Sequence, residues 1–78
     1  MKRITITVSK DTAEALAELA KECSDADKSR NGATTHGPLT TAKLLAMLAE
    51  DAGMVVTRPG CWEASNLHQV LTSHGYEV

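Results

Sequence analysis

The sequence predicts an α+β fold: an N-terminal strand and two helices, followed by a short strand and a third helix. Apolar and polar residues alternate from Ile4 to Val8, which is the period of a half-buried strand. Apolar residues then recur at steps of three and four in 9–23 and 39–52, as on one face of a helix. We therefore expect a single small domain over 1–78.

The first strand is the best-defined element of the pattern. Ile4, Ile6 and Val8 would share one face, and Arg3, Thr5 and Thr7 the other. The residues from Ile4 to Val8 are all β-branched, which suits a pleated surface. Because a lone strand leaves its N–H and C=O groups unpaired, it needs a partner strand from the same chain or from a second copy.

Two helices and a long connection follow the strand. Ser9 is expected to cap the first helix, which would end near Cys23. The second helix would span 39–52, with Thr40 or Thr41 as its cap and Gly53 at its end. The polar stretch 24–38 predicts a loop, which we interpret as a flexible surface connection; the alternative is that Lys28 and Arg30 in it contact a partner.

The C-terminal part of the sequence predicts one more strand and one more helix. The apolar run Met54–Thr57 is interpreted as a short strand that ends at a turn containing Pro59 and Gly60. A third helix would run from Trp62 to about His74 and end at Gly75, with Trp62 as a core residue. Residues 76–78 could add a last piece of strand.

Composition limits the classes of function. The chain has a formal charge of −2, so a nucleic-acid contact would need a local patch, for which Lys2 and Arg3 are the candidates. Phenylalanine is absent and Trp62 and Tyr76 are the only aromatic residues, which predicts a thin core and favours a homodimer. Without a signal peptide or membrane-span pattern, we expect a cytoplasmic protein with no membrane partner.

Sequence patterns of catalysis and metal binding are not found. The chain has no glycine-rich phosphate loop, nucleophile elbow or His-Glu-x-x-His pair. Cys61, His68 and His74 are separated by steps of seven and six, which do not match zinc-ligand spacings. We therefore expect no enzyme activity, no cofactor and no metal, with Cys23 and Cys61 as reduced thiols.

Residues 2–53 resemble the ribbon-helix-helix (MetJ/Arc-like) family of DNA-binding repressors. The resemblance is carried by the Arg3-Ile4-Thr5-Ile6-Thr7-Val8-Ser9 string and the two predicted helices. It implies a homodimeric transcription regulator whose two strands pair as an antiparallel ribbon in the major groove of duplex DNA, with 54–78 as an extension. The implied DNA-binding residues are Lys2, Arg3, Thr5, Thr7, Thr40, Thr41 and Lys43.

A competing interpretation pairs Ile4–Val8 with Met54–Thr57 inside one chain and packs three helices on one side. The segment from Arg58 to Tyr76, together with the string His36-Gly37-Pro38-Leu39-Thr40, resembles small proteins of bacteriophages and prophages. This alternative implies a phage-encoded inhibitor, similar to anti-CRISPR proteins, or an adaptor that binds a host protein through an acidic surface. Its protein-binding residues would be Glu50, Asp51, Glu63 and Glu77.

Overall fold

In a computed structural model, which describes residues 1–78, the chain is all-helical. Helix α1 spans Lys10–Ser29, α2 spans Thr41–Thr57 and α3 spans Trp62–Ser73. The predicted α+β class is therefore wrong, because the chain contains no strand or sheet. Two compact units are present, Met1–Ala42 and Lys43–Val78, and α2 crosses from the first to the second.

The predicted strand Ile4–Val8 lies in a segment, residues 1–9, that forms neither helix nor strand. A strand exists only as part of a ladder, and the segment that the competing interpretation paired with it, Met54–Thr57, is helical. The predicted strand at Ile4–Val8 is therefore wrong for the single chain. Its predicted pairing with Met54–Thr57 in an intramolecular sheet is wrong as well. Tyr76–Val78 is not a strand either.

Helix α2 continues through the run that was predicted to be the second strand. A four-residue apolar run has no periodicity that separates a strand from a helical turn. Gly53 costs about 1 kcal/mol relative to alanine inside a helix, yet α2 passes through it instead of ending there. The helix stops at Thr57, because Pro59 disfavours the helical conformation at Arg58.

Helix α1 is longer than its apolar pattern predicts and continues through Ser24–Ser29. Lys21 Nζ donates a hydrogen bond to Asp25 Oδ2 at 2.9 Å one turn later. This hydrogen bond and the charge of Asp25 raise the pKa of Lys21 above its ordinary value. The helix ends where Asn31 and Gly32 adopt positive φ angles of 54° and 78°, and Gly32 N–H donates to the carbonyl of Asp27.

Side chains of α1 fix the connection to α2, which was expected to be a flexible loop. The Asp27 side chain, 6 % exposed, accepts a hydrogen bond from the Thr34 hydroxyl. Thr34 Oγ1 in turn accepts from Gly37 N–H at 3.1 Å. Leu39 N–H donates to Ser24 Oγ at 2.9 Å, two residues before α2 begins. The connection is therefore attached to α1 at two points.

Replacing Ser24 with Ala should lower the free energy of unfolding by about 1–3 kcal/mol, because it leaves the half-buried Leu39 N–H without its acceptor. The control is Ser29→Ala, which removes an exposed hydroxyl that bonds only to the Ala26 carbonyl. Urea titrations followed by circular dichroism would compare the two variants. Equal effects would mean that the Ser24–Leu39 hydrogen bond does not hold the connection in place.

Helix α3 begins and ends at clear capping features. Cys61 precedes it with φ −72° and ψ 162°, and its sulfur accepts a hydrogen bond from Ala64 N–H at 3.4 Å. Gly75, with φ 89°, follows the helix, and Tyr76 N–H donates to the carbonyl of Leu71. The expected end at Gly75 is confirmed.

Few apolar residues are fully buried in either unit. Only Ala20, Leu44 and Ala64 are apolar residues with less than a tenth of their surface exposed. Trp62 was predicted to fill the core, but it is 69 % exposed at the start of α3. That prediction is wrong: the sole tryptophan lies at the surface.

Candidate nucleic-acid interface

The N-terminal segment, residues 1–9, exposes both of its alternating faces. Lys2, Arg3, Thr5 and Thr7 are exposed, as the predicted readers of DNA must be. The apolar side chains between them are exposed as well: Ile4 by 84 %, Ile6 by 59 % and Val8 by 44 %. No hydrogen bond joins residues 1–8 to the rest of the chain. The segment thus has an apolar face that its own chain covers only in part.

Ser9 sets the point at which this segment becomes α1. Its hydroxyl oxygen accepts a hydrogen bond from Thr12 N–H at 3.1 Å and lies 2.9 Å from Thr12 Oγ1. Ser9 itself has extended backbone angles, φ −64° and ψ 158°, so the chain enters the helix from an extended residue. The predicted N-cap is confirmed, and it connects the candidate readers directly to a long helix.

The local charge of the N-terminal segment and the first residue of α1 is positive. Lys2, Arg3 and Lys10 are the charged side chains among the first ten residues, and the first acid is Asp11. The remainder of the unit Met1–Ala42 contains three basic and six acidic residues. The basic charge that could meet a polyanion is therefore concentrated at the N-terminus.

The second group of predicted DNA-binding residues lies at the start of α2. Thr40 is exposed just before the helix, Thr41 is its half-buried first residue, and Lys43 is exposed in the first turn. The first turn contains no acid, so the positive end of the helix dipole is not opposed there. Thr40 and Lys43 each already take part in an interaction within the chain. This helix start is chemically suited to a phosphate oxygen.

The four acidic residues of the alternative site lie on three different elements. Glu50 is exposed and Asp51 half-buried in the middle of α2, not at its end as predicted, because the helix continues to Thr57. Glu63 is half-buried in the first turn of α3, where negative charge complements the helix dipole. Glu77 is exposed beyond α3.

Two candidate contacts of the predicted loop now lie at the end of α1. Lys28 is in the last turn and Arg30 is the C-cap residue, and both are exposed. A cation near a helix C-terminus complements the negative end of the dipole. Their position is thus explained by the helix end, and no partner is needed to account for it.

The unit Lys43–Val78 contains one feature that sequence patterns did not indicate, an open groove of about 300 Å³. It is lined by Val55, Pro59, Gly60, Ala64, Ser65 and His68. Only an imidazole and a hydroxyl contribute polar side-chain groups, and His68 Nε2 already lies 2.7 Å from the main-chain oxygen of Val78. The groove lacks the convergent polar groups that orient a small ligand.

The two cysteines do not form a disulfide. Cys23 and Cys61 are free and half-buried, and Cys61 Sγ lies 3.9 Å from the sulfur of Met54. The chain contains no group of three or more His, Cys, Asp or Glu side chains placed to hold a metal ion. None of the three helices combines the length and apolar character needed to cross a membrane.

Comparison with known proteins gives no relative. No protein-family model, no curated protein and no solved structure matches the chain. The candidate interface is therefore described by its own residues: an exposed alternating N-terminal segment and the start of α2.

Proposed function

We propose that two copies of this chain form a DNA-binding transcription regulator, with residues 3–8 of each copy paired as an intermolecular β-ribbon in the major groove. The observation that carries the proposal is the exposed apolar face of Ile4, Ile6 and Val8. Pairing two such segments would cover this face and satisfy the backbone groups of both. Arg3, Thr5 and Thr7 would remain on the opposite face, available to DNA.

Each candidate residue has a matching role on DNA. The Arg3 guanidinium can donate two hydrogen bonds to the O6 and N7 of guanine, and the Thr5 and Thr7 methyl groups can contact thymine. Lys2 would contact phosphates beside the ribbon. Thr40, Thr41 and Lys43 would position a phosphate at the start of α2. A repressor of this kind, encoded by a bacteriophage or prophage, would act in the cytoplasm.

Replacing Arg3 with Ala should weaken binding to the preferred duplex by about 1–3 kcal/mol, because a bidentate base contact is lost. A preferred duplex would first be selected from a random library with the wild-type chain, at low salt. Gel-shift titrations would then compare wild type with Arg3→Ala. The matched control is Arg58→Ala, which removes an exposed arginine beyond the end of α2.

Two results would contradict this proposal. If Arg3→Ala binds the selected duplex as tightly as Arg58→Ala does, Arg3 reads no base. Failure of the wild type to bind any duplex at low salt, where phosphate contacts are strongest, would remove DNA as the partner.

A second candidate function is favoured by the exposed Trp62. Tryptophan is enriched among the residues that dominate protein–protein binding, and this one is 69 % exposed. The unit Lys43–Val78 also has four acids, Glu50, Asp51, Glu63 and Glu77, against two basic residues. In this hypothesis the chain is a phage-encoded inhibitor or adaptor that binds a basic surface of a host protein, and it would bind no duplex at any salt concentration.

A further inference from the structure

Lys10, the first residue of α1, is an exposed cation at the end of the helix where a positive charge is unfavourable. The N-terminus of a helix is the positive end of the helix dipole, which stabilises anions and destabilises cations. Asp11, the next residue, has the charge that this end of the helix favours. The stability of α1 therefore gives no reason for a lysine at its first position.

The other basic residues of α1 and its C-cap have positions that the helix itself explains. Lys21 forms an ion pair with Asp25. Lys28, in the last turn, and Arg30, at the C-cap, lie at the negative end of the dipole. Lys10 lies at the opposite end, and no hydrogen bond or ion pair within the chain involves its side chain. It is thus the one basic side chain of α1 with neither a partner nor a favourable position.

The neighbouring acids do not neutralise Lys10. Asp11 is adjacent in the sequence, and successive side chains of a helix point about 100° apart, so the two do not face each other. Glu14 lies one turn later on the same side, but a lysine that precedes a glutamate is the weaker order for such a pair, and the two form no ion pair. The charge of Lys10 is therefore available to an anion outside the chain.

In the proposed ribbon, Lys10 would lie beside the basic N-terminus of the other copy. When residues 3–8 of two copies pair about a two-fold axis, Arg3 of each copy lies opposite Val8 of the other. Lys10 follows Val8 by two residues, and Lys2 precedes Arg3 by one. Each end of the ribbon would then bring together Lys2 and Arg3 from one copy and Lys10 from the other.

We propose that Lys10 binds a phosphate of the DNA backbone at each end of the ribbon, an inference that rests on the proposed function and adds a contact to it. The readers of the ribbon would face the base edges, whereas phosphates line both sides of the groove. Lysine suits a phosphate there, because its ammonium group acts as a point charge with three rotatable donors. Lys10 would therefore contribute affinity and position, but no sequence preference.

This role makes folding and DNA binding respond to Lys10 in opposite directions. Replacing Lys10 with Ala removes a cation from the positive end of the dipole and introduces the residue with the highest helix propensity. The variant should therefore unfold at the wild-type temperature or at a higher one. Its affinity for DNA should nevertheless fall.

The salt dependence of DNA binding tests the phosphate contact. Each such contact contributes about 0.9 to the slope of log K against log salt concentration, so Lys10→Ala in both copies should reduce the slope by about 1.8. The advantage of the wild type over this variant should accordingly shrink about tenfold between roughly 50 and 200 mM salt. Gel-shift titrations would use the selected duplex and an unrelated one, and the variant should weaken both by the same factor.

The matched control is Lys28→Ala, which removes the same charge from the opposite end of the same helix. It should keep the wild-type slope, and it should unfold at a lower temperature than Lys10→Ala, because it loses a favourable interaction with the dipole. A second variant, Lys10→Arg, keeps the charge and should keep the slope. Circular dichroism would follow the unfolding of all three variants.

The possible results separate this inference from the proposed function. If Lys10→Ala keeps the wild-type slope while Arg3→Ala loses affinity for the selected duplex, only the phosphate contact is overturned. An equal loss of slope in Lys28→Ala would overturn it too, since total charge would then explain the effect. So would a loss confined to the selected duplex, because phosphate contacts do not depend on sequence. If the wild type binds neither duplex at low salt, the proposed function and this inference both fall.

Discussion

Replacing Leu44 with Ala is expected to lower the free energy of unfolding by about 2–5 kcal/mol, the range for a leucine truncated in a core. Leu44 is 2 % exposed, and the other two buried apolar residues are the alanines Ala20 and Ala64. Because a chain of this length has a total stability of about 4–12 kcal/mol, the loss would be a large fraction of it.

The control for Leu44→Ala is Leu48→Ala on the same helix, one turn later. Leu48 is 39 % exposed, so its truncation should cost only about 1–2 kcal/mol. Urea unfolding followed by circular dichroism would compare the two at one chain concentration, because dimerisation makes the midpoint depend on concentration. If both variants lost the same stability, the deeper burial of Leu44 would not stabilise the fold more than the partial burial of Leu48 does.

The contrast between α2 and its predicted end shows what sequence patterns can and cannot define. Gly53 followed by an apolar run satisfied the rules for a helix end and a strand start. Local preference of this kind is about 1 kcal/mol per residue, which tertiary packing readily overrides. Met54 and Val55 are half-buried on the helix, so packing in this chain favours its continuation.

Two other capping residues, Ser9 and Gly75, predicted helix boundaries correctly, because their effect is local. Ser9 begins α1 and Gly75 follows α3, since a side-chain acceptor and a positive φ angle act within one turn. Burial of Trp62 could not be predicted in the same way, because it depends on how distant segments pack. The one tryptophan of a small chain was expected inside and lies outside.

The candidate interface was predictable only as far as the segment itself. Alternation identified which of the residues 3–8 share a face, and all of them are exposed. Whether the segment forms a strand depends on a partner backbone that the sequence of one chain does not specify. The DNA-binding roles of Arg3, Thr5, Thr7 and the start of α2 therefore stay predictions.

Replacing Ile6 with Lys is expected to weaken the dimer at least about a hundredfold and to abolish binding to the selected duplex. Each of two Ile6 side chains would contribute about 1.5–3 kcal/mol when buried between the ribbon strands, and about 1.4 kcal/mol corresponds to a factor of ten. A lysine there would also lose part of its hydration. Sedimentation equilibrium and gel-shift titration would measure the two effects.

Thr5→Lys is the matched control, because it adds the same charge to the neighbouring residue on the opposite face. That face points to DNA in the proposed ribbon, so this variant should stay dimeric and bind non-specific duplex more tightly at low salt. The opposite outcomes of two adjacent lysines would follow from the alternation of Ile4–Val8 alone. If Ile6→Lys stayed dimeric and bound DNA like Thr5→Lys, the segment would not pair as a ribbon, and the exposed apolar face would need another partner.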